Sequence, residues 1–113
     1  MIGAGNFART MQLPHLKGRI ALGTVVNATG LSARHVREKF GFAEAAADVA
    51  AISGRDSEAV LIATRHHLHA PLAVRFLAQN KHVFVEKPLC LSREALAGLD
   101  DAVRQTRGSV MTG

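Results

Sequence analysis

Tryptophan and tyrosine are missing from this 113-residue chain, and phenylalanine is its only aromatic residue. The formal charge of +5 invites a nucleic-acid partner, but the 14 basic residues are dispersed and no aromatic platform for stacking bases accompanies them. No nucleic-acid partner is therefore expected, and the charge suits a surface tolerant of phosphate-bearing ligands. Cysteine occurs once, at Cys90, which excludes an internal disulfide and a cysteine-rich zinc site and agrees with a reducing, cytoplasmic compartment. Between Leu89 and Leu91, Cys90 reads as a buried small hydrophobe rather than a nucleophile. No apolar run approaches membrane-spanning length, so no membrane partner is expected, and Met1 leads into a glycine loop without a charged or hydrophobic leader. Low-complexity tracts, internal repeats and linkers are absent as well. With 48% hydrophobic residues a packed core is expected over disorder, and the length bounds the chain to one small domain, short for a complete enzyme.

The stretch over 59–88, AVLIATRHHLHAPLAVRFLAQNKHVFVEKP, organises the rest. Residues 59–63 form a run of Val, Leu, Ile and Ala too brief for a core helix, which predicts a strand buried on both faces. Polar groups over 64–69 break the run. Pro71 suits the first turn of a helix that Leu72, Val74, Phe76 and Leu77 continue to Gln79, and Asn80 marks its end. Residues 82–85 give a second strand running into Glu86, Lys87 and Pro88. Strand, helix, strand is a parallel crossover unit, whose strands present their carboxyl ends on one sheet edge, where open α/β sheets bind ligands. The turns over 64–69 and 86–88 are therefore expected to converge on one crevice.

At the amino end, Gly3-Ala4-Gly5-Asn6-Phe7-Ala8 is a GxGxxA pattern opening a helix that includes Arg9, Thr10, Met11 and Leu13. Gly3 allows a tight turn, Gly5 lets the backbone approach a pyrophosphate with no Cβ in the way, and Ala8 permits close packing of helix on strand. Free amides at the helix start would face the anion. Pro14 is expected to end or kink this helix, and residues 20–26 (IALGTVV) read as the next strand, weakened at Gly23. Asn27 sits at its end, where a dinucleotide fold usually places Asp or Glu, roughly 20 residues past the glycines, to bind the adenosine ribose hydroxyls. Asn27 can still hydrogen-bond a hydroxyl and lacks the charge that would repel a 2′-phosphate, while Thr29, Arg34 or Arg37 could favour one. For Arg34 and Arg37 a solvated helix face is the simpler reading.

Ser32 is a candidate cap for a helix over 33–40 that Gly41 terminates. Residues 43–52 are alanine-rich and predict a helix, followed by the turn cluster Ser53, Gly54, Arg55 and Asp56. Ser92 caps a helix to about Arg107 with Leu96, Leu99 and Val103 on one face; Gly108 ends it, and 109–112 start another strand.

With these motifs and their spacing in hand, the chain resembles, over essentially all of its length, the nucleotide-binding half of the glucose-fructose oxidoreductase, inositol dehydrogenase and rhizopine-catabolism (Gfo/Idh/MocA) family. The most specific part is Asn80-Lys81-His82-Val83-Phe84-Val85-Glu86-Lys87-Pro88. Thr64-Arg65-His66 is most similar to members fused to a zinc-alcohol-dehydrogenase-like half, and Arg65 and His66 depart from the commoner Pro and Asn. The resemblance implies a Rossmann-like, doubly wound α/β fold of three layers with a mainly parallel sheet, its first and last strands truncated, and residues 1–113 as one NAD(P)-binding domain. It implies NAD or NADP as cofactor, a sugar or cyclitol as substrate, and hydride transfer between nicotinamide and a hydroxyl-bearing carbon. It places Gly3, Gly5, Asn6, Phe7 and Ala8 on the pyrophosphate, and Asn27 near the adenosine ribose. Thr64, Arg65, His66 and His69 would line the cofactor cleft, Glu86 would lie beside the nicotinamide, and Lys87 would reach its ribose and the substrate hydroxyl. A cation there stabilises developing alkoxide, which makes Lys87 the candidate catalytic residue. The family's principal acid–base residue belongs to a second α/β domain that would lie beyond this stretch, and a homo-oligomer through that domain is left open.

His66, His67 and His69 form an HHxH cluster, but three imidazoles within one helix start diverge and no Cys or carboxylate lies near in sequence, so no metal is expected. His15, His35 and His82 read as surface or satisfied residues. Only Met1 and Ile2 precede the glycine loop, where a central strand needs about five residues, so a chain truncated at both ends or with a misassigned start is expected. The competing reading is a non-catalytic dinucleotide-binding module or remnant. A basic nucleic-acid binder ranks last.

Overall fold

The computed structural model describes residues 1–52 and 57–113, which belong to two compact units, Met1–Asp56 and Ser57–Gly113. In the first unit Met1 to Gly3 lie parallel to β1 (Thr24–Val26): Ile2 bridges Val26, the Val26 amide donates to the Met1 carbonyl at 2.8 Å, and the Gly3 amide donates to the Val26 carbonyl at 2.8 Å. The residues ahead of the glycine loop thus pair as a strand would, for one bridge. A π-helical turn, Ala8–Gln12, then passes into α1 (Leu13–Leu16). Of the two outcomes expected at Pro14, an end or a kink, the helix does not end there but runs on to Leu16. The turn before it is widened, with the Leu13 amide donating to the Ala8 carbonyl, and Pro14 sits in the first turn of α1, where its missing N–H costs least.

β1 is shorter than the expected 20–26 strand. The Ile20 amide is spent on the Leu16 carbonyl at the end of α1, and Ile20 is exposed, so the extended run starts only at Thr24. The next helix, α2 (Gly30–Phe40), starts three residues before the expected position. Its cap is Thr29, whose hydroxyl oxygen accepts from the Ser32 amide at 3.1 Å; Ser32 is the recipient of the cap, because a capping oxygen reaches the third helical N–H and not its own. Gly41, at φ 83°, closes the helix as expected.

The largest departure is the alanine-rich segment over 43–52. It forms β2 (Glu44–Ala46) and a 3₁₀ turn, Val49–Ala51, instead of a helix. β2 pairs parallel with β1, Val25 opposite Ala45, and flanking bonds from Ala43 to Leu22 and from Asn27 to Ala46 lengthen the ladder. Helix preference is worth only tenths of a kcal/mol per residue, and a ladder partner outweighs it. Ala4, Leu13, Val25, Val36, Phe40 and Phe42 form the core of this unit. The turn expected over 53–56 lies outside the described residues.

The second unit follows its sequence closely. β3 (Ala59–Ile62), β4 (His82–Val85) and β5 (Ser109–Thr112) form a parallel sheet in the order β3-β4-β5, with Val60 opposite Val83 and Val83 opposite Val110. β3 is not buried on both faces as expected: Val60 and Ile62 are buried, Leu61 is half-buried and Ala59 is exposed. Between β3 and β4 a 3₁₀ turn, His66–Leu68, leads into α3 (His69–Leu77), which buries Ala73, Phe76 and Leu77. Asn80 leaves the helix end at φ 59°, a left-handed conformation that asparagine tolerates. α4 (Arg93–Gln105) is capped by Ser92, whose hydroxyl accepts from the Ala95 amide at 3.1 Å. Of its expected apolar face only Leu99 is buried; Leu96 and Val103 are exposed.

Three consecutive residues leading into β4, the last of them its first residue, reach partners across this unit. The Asn80 side-chain oxygen accepts from the Arg107 amide at 3.0 Å, the buried Lys81 ammonium donates to the Ser57 carbonyl, and His82 Nδ1 lies 2.8 Å from the Ser109 hydroxyl. Gly108 completes the set. A Cβ there would overlap the Lys81 carbonyl oxygen and stand 3.0 Å from Leu77 Cδ2, so only glycine lets the two backbones approach.

Candidate functional site

The glycine loop is shaped by backbone and by one side chain. Gly3 adopts φ 78°, which turns the chain out of its pairing with β1. Its neighbour Ala4 is fully buried and donates its amide to Asn27 Oδ1 at 3.0 Å. An N–H can only donate, so the atom facing it is the amide oxygen. Asn27 is thus a strut under the loop, a role that sequence spacing alone did not suggest. Gly5, Asn6 and Phe7 are exposed, and a Cβ built on Gly5 would meet nothing within 4 Å. Open space over a glycine at a helix start is the surface on which a pyrophosphate is held by backbone amides. Ala8 is buried, as close helix packing requires. A cavity of about 330 Å³ in this unit lies elsewhere, against β2, lined by Gly23, Thr24, Glu44 and neighbouring alanines.

In the second unit the turns after β3 and β4 meet, as expected from the crossover pattern. The Glu86 amide donates to the Ile62 carbonyl at 3.0 Å, continuing the β3–β4 ladder into the motif. His69, 1% exposed, lies between the two turns, with Nδ1 2.7 Å from the Pro88 carbonyl and Nε2 3.0 Å from the Thr64 carbonyl. A neutral imidazole carries one N–H, so at any moment it donates to one of these carbonyls. The ring ties Thr64 to Pro88, and through Pro88 it holds the turn that carries Glu86 and Lys87. Lys87 is exposed and joined to Pro88 by a cis peptide; Glu86 is half-buried. Thr64 donates its hydroxyl to the Arg65 carbonyl at 3.1 Å, and Arg65 and His66 are exposed. The His66 ring stands edge-on to His69, centroids 5.7 Å apart.

Among the described residues, no group of three or more His, Cys, Asp or Glu is placed to hold a metal ion, and no helix is long and apolar enough to cross a membrane. Cys90 is a free, half-buried thiol.

Parallel strands linked by helices, with a left-handed glycine turn leading into the first helix, define a Rossmann-like α/β nucleotide-binding protein. Residues 1–113 match the Gfo/Idh/MocA oxidoreductase family, NAD-binding Rossmann fold, and the chain belongs to it. Levoglucosan dehydrogenase of Pseudarthrobacter phenanthrenivorans is 36% identical over 73 residues, 64% of this chain and 19% of that protein. A glycosyl hydrolase family 109 protein of Shewanella putrefaciens is 35% identical over 60 residues, 53% of this chain and 13% of that protein. Among solved structures, KijD10, a 3-ketoreductase from Actinomadura kijaniata in complex with NADP and TDP-benzene, aligns over 99% of this chain and 35% of its own, with a TM-score of 0.88 and 28% identity. Levoglucosan dehydrogenase with NADH and L-sorbose aligns over 96% of this chain and 32% of its own, with a TM-score of 0.80 and 26% identity. The chain therefore spans under a fifth of these curated relatives and about a third of the solved chains.

Proposed function

We propose that residues 1–113 form one NAD(P)-binding domain of an oxidoreductase that moves hydride between nicotinamide and a hydroxyl-bearing carbon of a sugar or cyclitol. The observation that carries this reading is the glycine loop, with Gly3 in a left-handed turn and open space over Gly5. Gly3, Gly5, Asn6, Phe7 and Ala8 take the pyrophosphate, and Asn27 lies toward the adenosine ribose. Thr64, Arg65, His66, His69 and Glu86 serve the cofactor cleft on the nicotinamide side. Bound nicotinamide supplies the hydride acceptor or donor. Lys87 then places an ammonium at the substrate hydroxyl, where it would stabilise the charge that grows as hydride passes to nicotinamide and the O–H proton passes to the acid–base residue that the resemblance places in a second domain. Its exposure in a turn held by His69 supports that role. The substrate class is supported by relatives named for levoglucosan oxidation and 3-keto reduction. A cytoplasmic setting is supported by the lone cysteine.

The test follows reduced nicotinamide fluorescence during titration of NAD and NADP, then turnover across a panel of sugars and cyclitols. Lys87→Ala is expected to lower turnover by about 10²-fold or more while dinucleotide affinity stays within a few-fold. A folded protein that binds neither dinucleotide overturns the reading.

A further inference from the structure

Sugars and cyclitols are neutral polyols unless they carry a carboxylate or a phosphate. The turns after β3 and β4 bear on which kind is handled, and the inference drawn from them rests on the oxidoreductase reading above and deepens it. The two turns adjoin through the Glu86 amide on the Ile62 carbonyl at 3.0 Å and through His69 between the Thr64 and Pro88 carbonyls. Arg65, His66 and His67 are exposed on the first turn and Lys87 on the second. His66 stays close to the junction, its ring centroid 5.7 Å from that of His69.

A hydroxyl both donates and accepts, so a neutral polyol is best read by a mixture of donors and acceptors, whereas an ionised carboxylate or phosphate calls for donors. The side chains exposed on these turns are weighted toward donors. A guanidinium and an ammonium have no acceptor, and each neutral imidazole brings one N–H. Glu86 is the single carboxylate over 64–69 and 86–91, and it is half-buried. His69 is buried with both nitrogens on carbonyls and offers a ligand nothing. Among the described residues the one ion pair is Arg104 with Asp100 on α4, and neither Arg65 nor Lys87 meets a carboxylate within ion-pair distance. Two such cations on adjoining turns repel each other, and an anion between them relieves the repulsion. The planar guanidinium fork matches a carboxylate or a phosphate in two parallel hydrogen bonds, which an ammonium cannot do. Arg65 contributes to its own turn through backbone, its carbonyl accepting from the Thr64 hydroxyl and the Leu68 amide at 3.1 Å each, which leaves the exposed side chain for a ligand. We infer that the substrate is an acidic sugar or cyclitol, one bearing a carboxylate or a phosphate, and that Arg65 selects it by a bidentate hold on that group beside Lys87.

Nuclear magnetic resonance titrations of the purified, dinucleotide-loaded protein test this without requiring turnover, with glucose, glucuronate, glucose 6-phosphate and inorganic phosphate as probes. One of the two acidic sugars is expected to shift the amides over 64–67 and 86–87 with an affinity about tenfold or more above that of glucose, the advantage shrinking as salt is raised. Which of the two binds tighter separates a carboxylate from a phosphate. Arg65→Gln is expected to lose most of the advantage and to leave dinucleotide affinity within about twofold, and Arg65→Lys, which keeps the charge without the fork, to recover only part of it. Arg75→Gln, the same loss of charge at an exposed position on α3, should change neither. Glucose bound as tightly as both acids, or no sugar bound at all, overturns the inference and leaves the dinucleotide reading standing. So does inorganic phosphate bound as tightly as either acidic sugar, or an Arg65→Gln variant whose loss falls on the dinucleotide instead. A folded protein that binds no dinucleotide overturns both.

Discussion

The unit from Ser57 to Gly113 and the unit from Met1 to Asp56 reach similar parallel ladders by different means. The second has four-residue strands in register, and side chains of Asn80, Lys81, His82 and His69 reach across it to backbone or hydroxyl partners. The first has three-residue strands, one isolated bridge and a π turn, and beside its apolar cluster its long-range side-chain ties include Asn27 to the Ala4 amide and Lys17 to the Lys39 carbonyl. Where polar side chains tie turns together, the turn keeps a defined position, as the one carrying Lys87 does through His69 and Pro88. Where backbone and small residues do the work, the surface stays open, as it does over Gly5.

Four experiments sharpen or break this contrast. The largest effect is expected from the second unit's core: Phe76, fully buried, should cost about 3–5 kcal/mol as Phe76→Ala in urea denaturation, and a loss below about 1 kcal/mol would show that the sheet does not depend on α3. Next comes the tie itself. His69→Phe removes the ring N–H that donates to one or other of the Thr64 and Pro88 carbonyls and should cost about 1–3 kcal/mol, with faster hydrogen exchange at the Glu86 amide and partial recovery in His69→Gln. Unchanged exchange at Glu86 would separate the tie from the motif.

In the first unit, the Met1 amino group of a chain starting there donates to the Thr24 carbonyl at 2.7 Å, and burial lowers its pKa from 8.0 to about 6. Folding then favours the neutral amine. The unfolded chain binds more protons between these values, so stability should rise on the order of 2 kcal/mol as pH increases from about 6 to 8. Thermal melts across that range, repeated on a chain extended upstream, check this, and a rise that persists in the extended chain would assign it to another group. The smallest effects belong to the two caps. Thr29→Ala and Ser92→Ala should each cost about 1 kcal/mol in melting experiments, one in each unit, and unequal losses would reveal which helix relies more on its neighbours.

Legibility followed the same division. In the stretch over 59–88, apolar runs, Pro71 and Asn80 all favoured the elements that formed, so β4 matched expectation, β3 ended one residue early and α3 began and ended two residues early; beyond the stretch, β5 also matched. Over 43–52, alanine favoured a helix by a margin smaller than one ladder bond, and pairing with β1 reversed it. Asn27 was legible as a strand-end residue, yet its bond to Ala4 joins positions 23 apart in sequence and no local pattern encodes it. The same holds for His69, whose candidate role came from its position but whose two carbonyl partners lie five and nineteen residues away.

By itself, then, the order of residues determined the parallel crossover, the glycine turn and the motif that ends in Pro88, because these depend on local steric and apolar preferences. The tertiary structure alone decided which way the alanine segment folded, what became of the Asn27 oxygen and what held the Pro88 turn. Those outcomes depend on hydrogen-bond partners from distant parts of the chain, and such partners exist only once the backbone has folded around them.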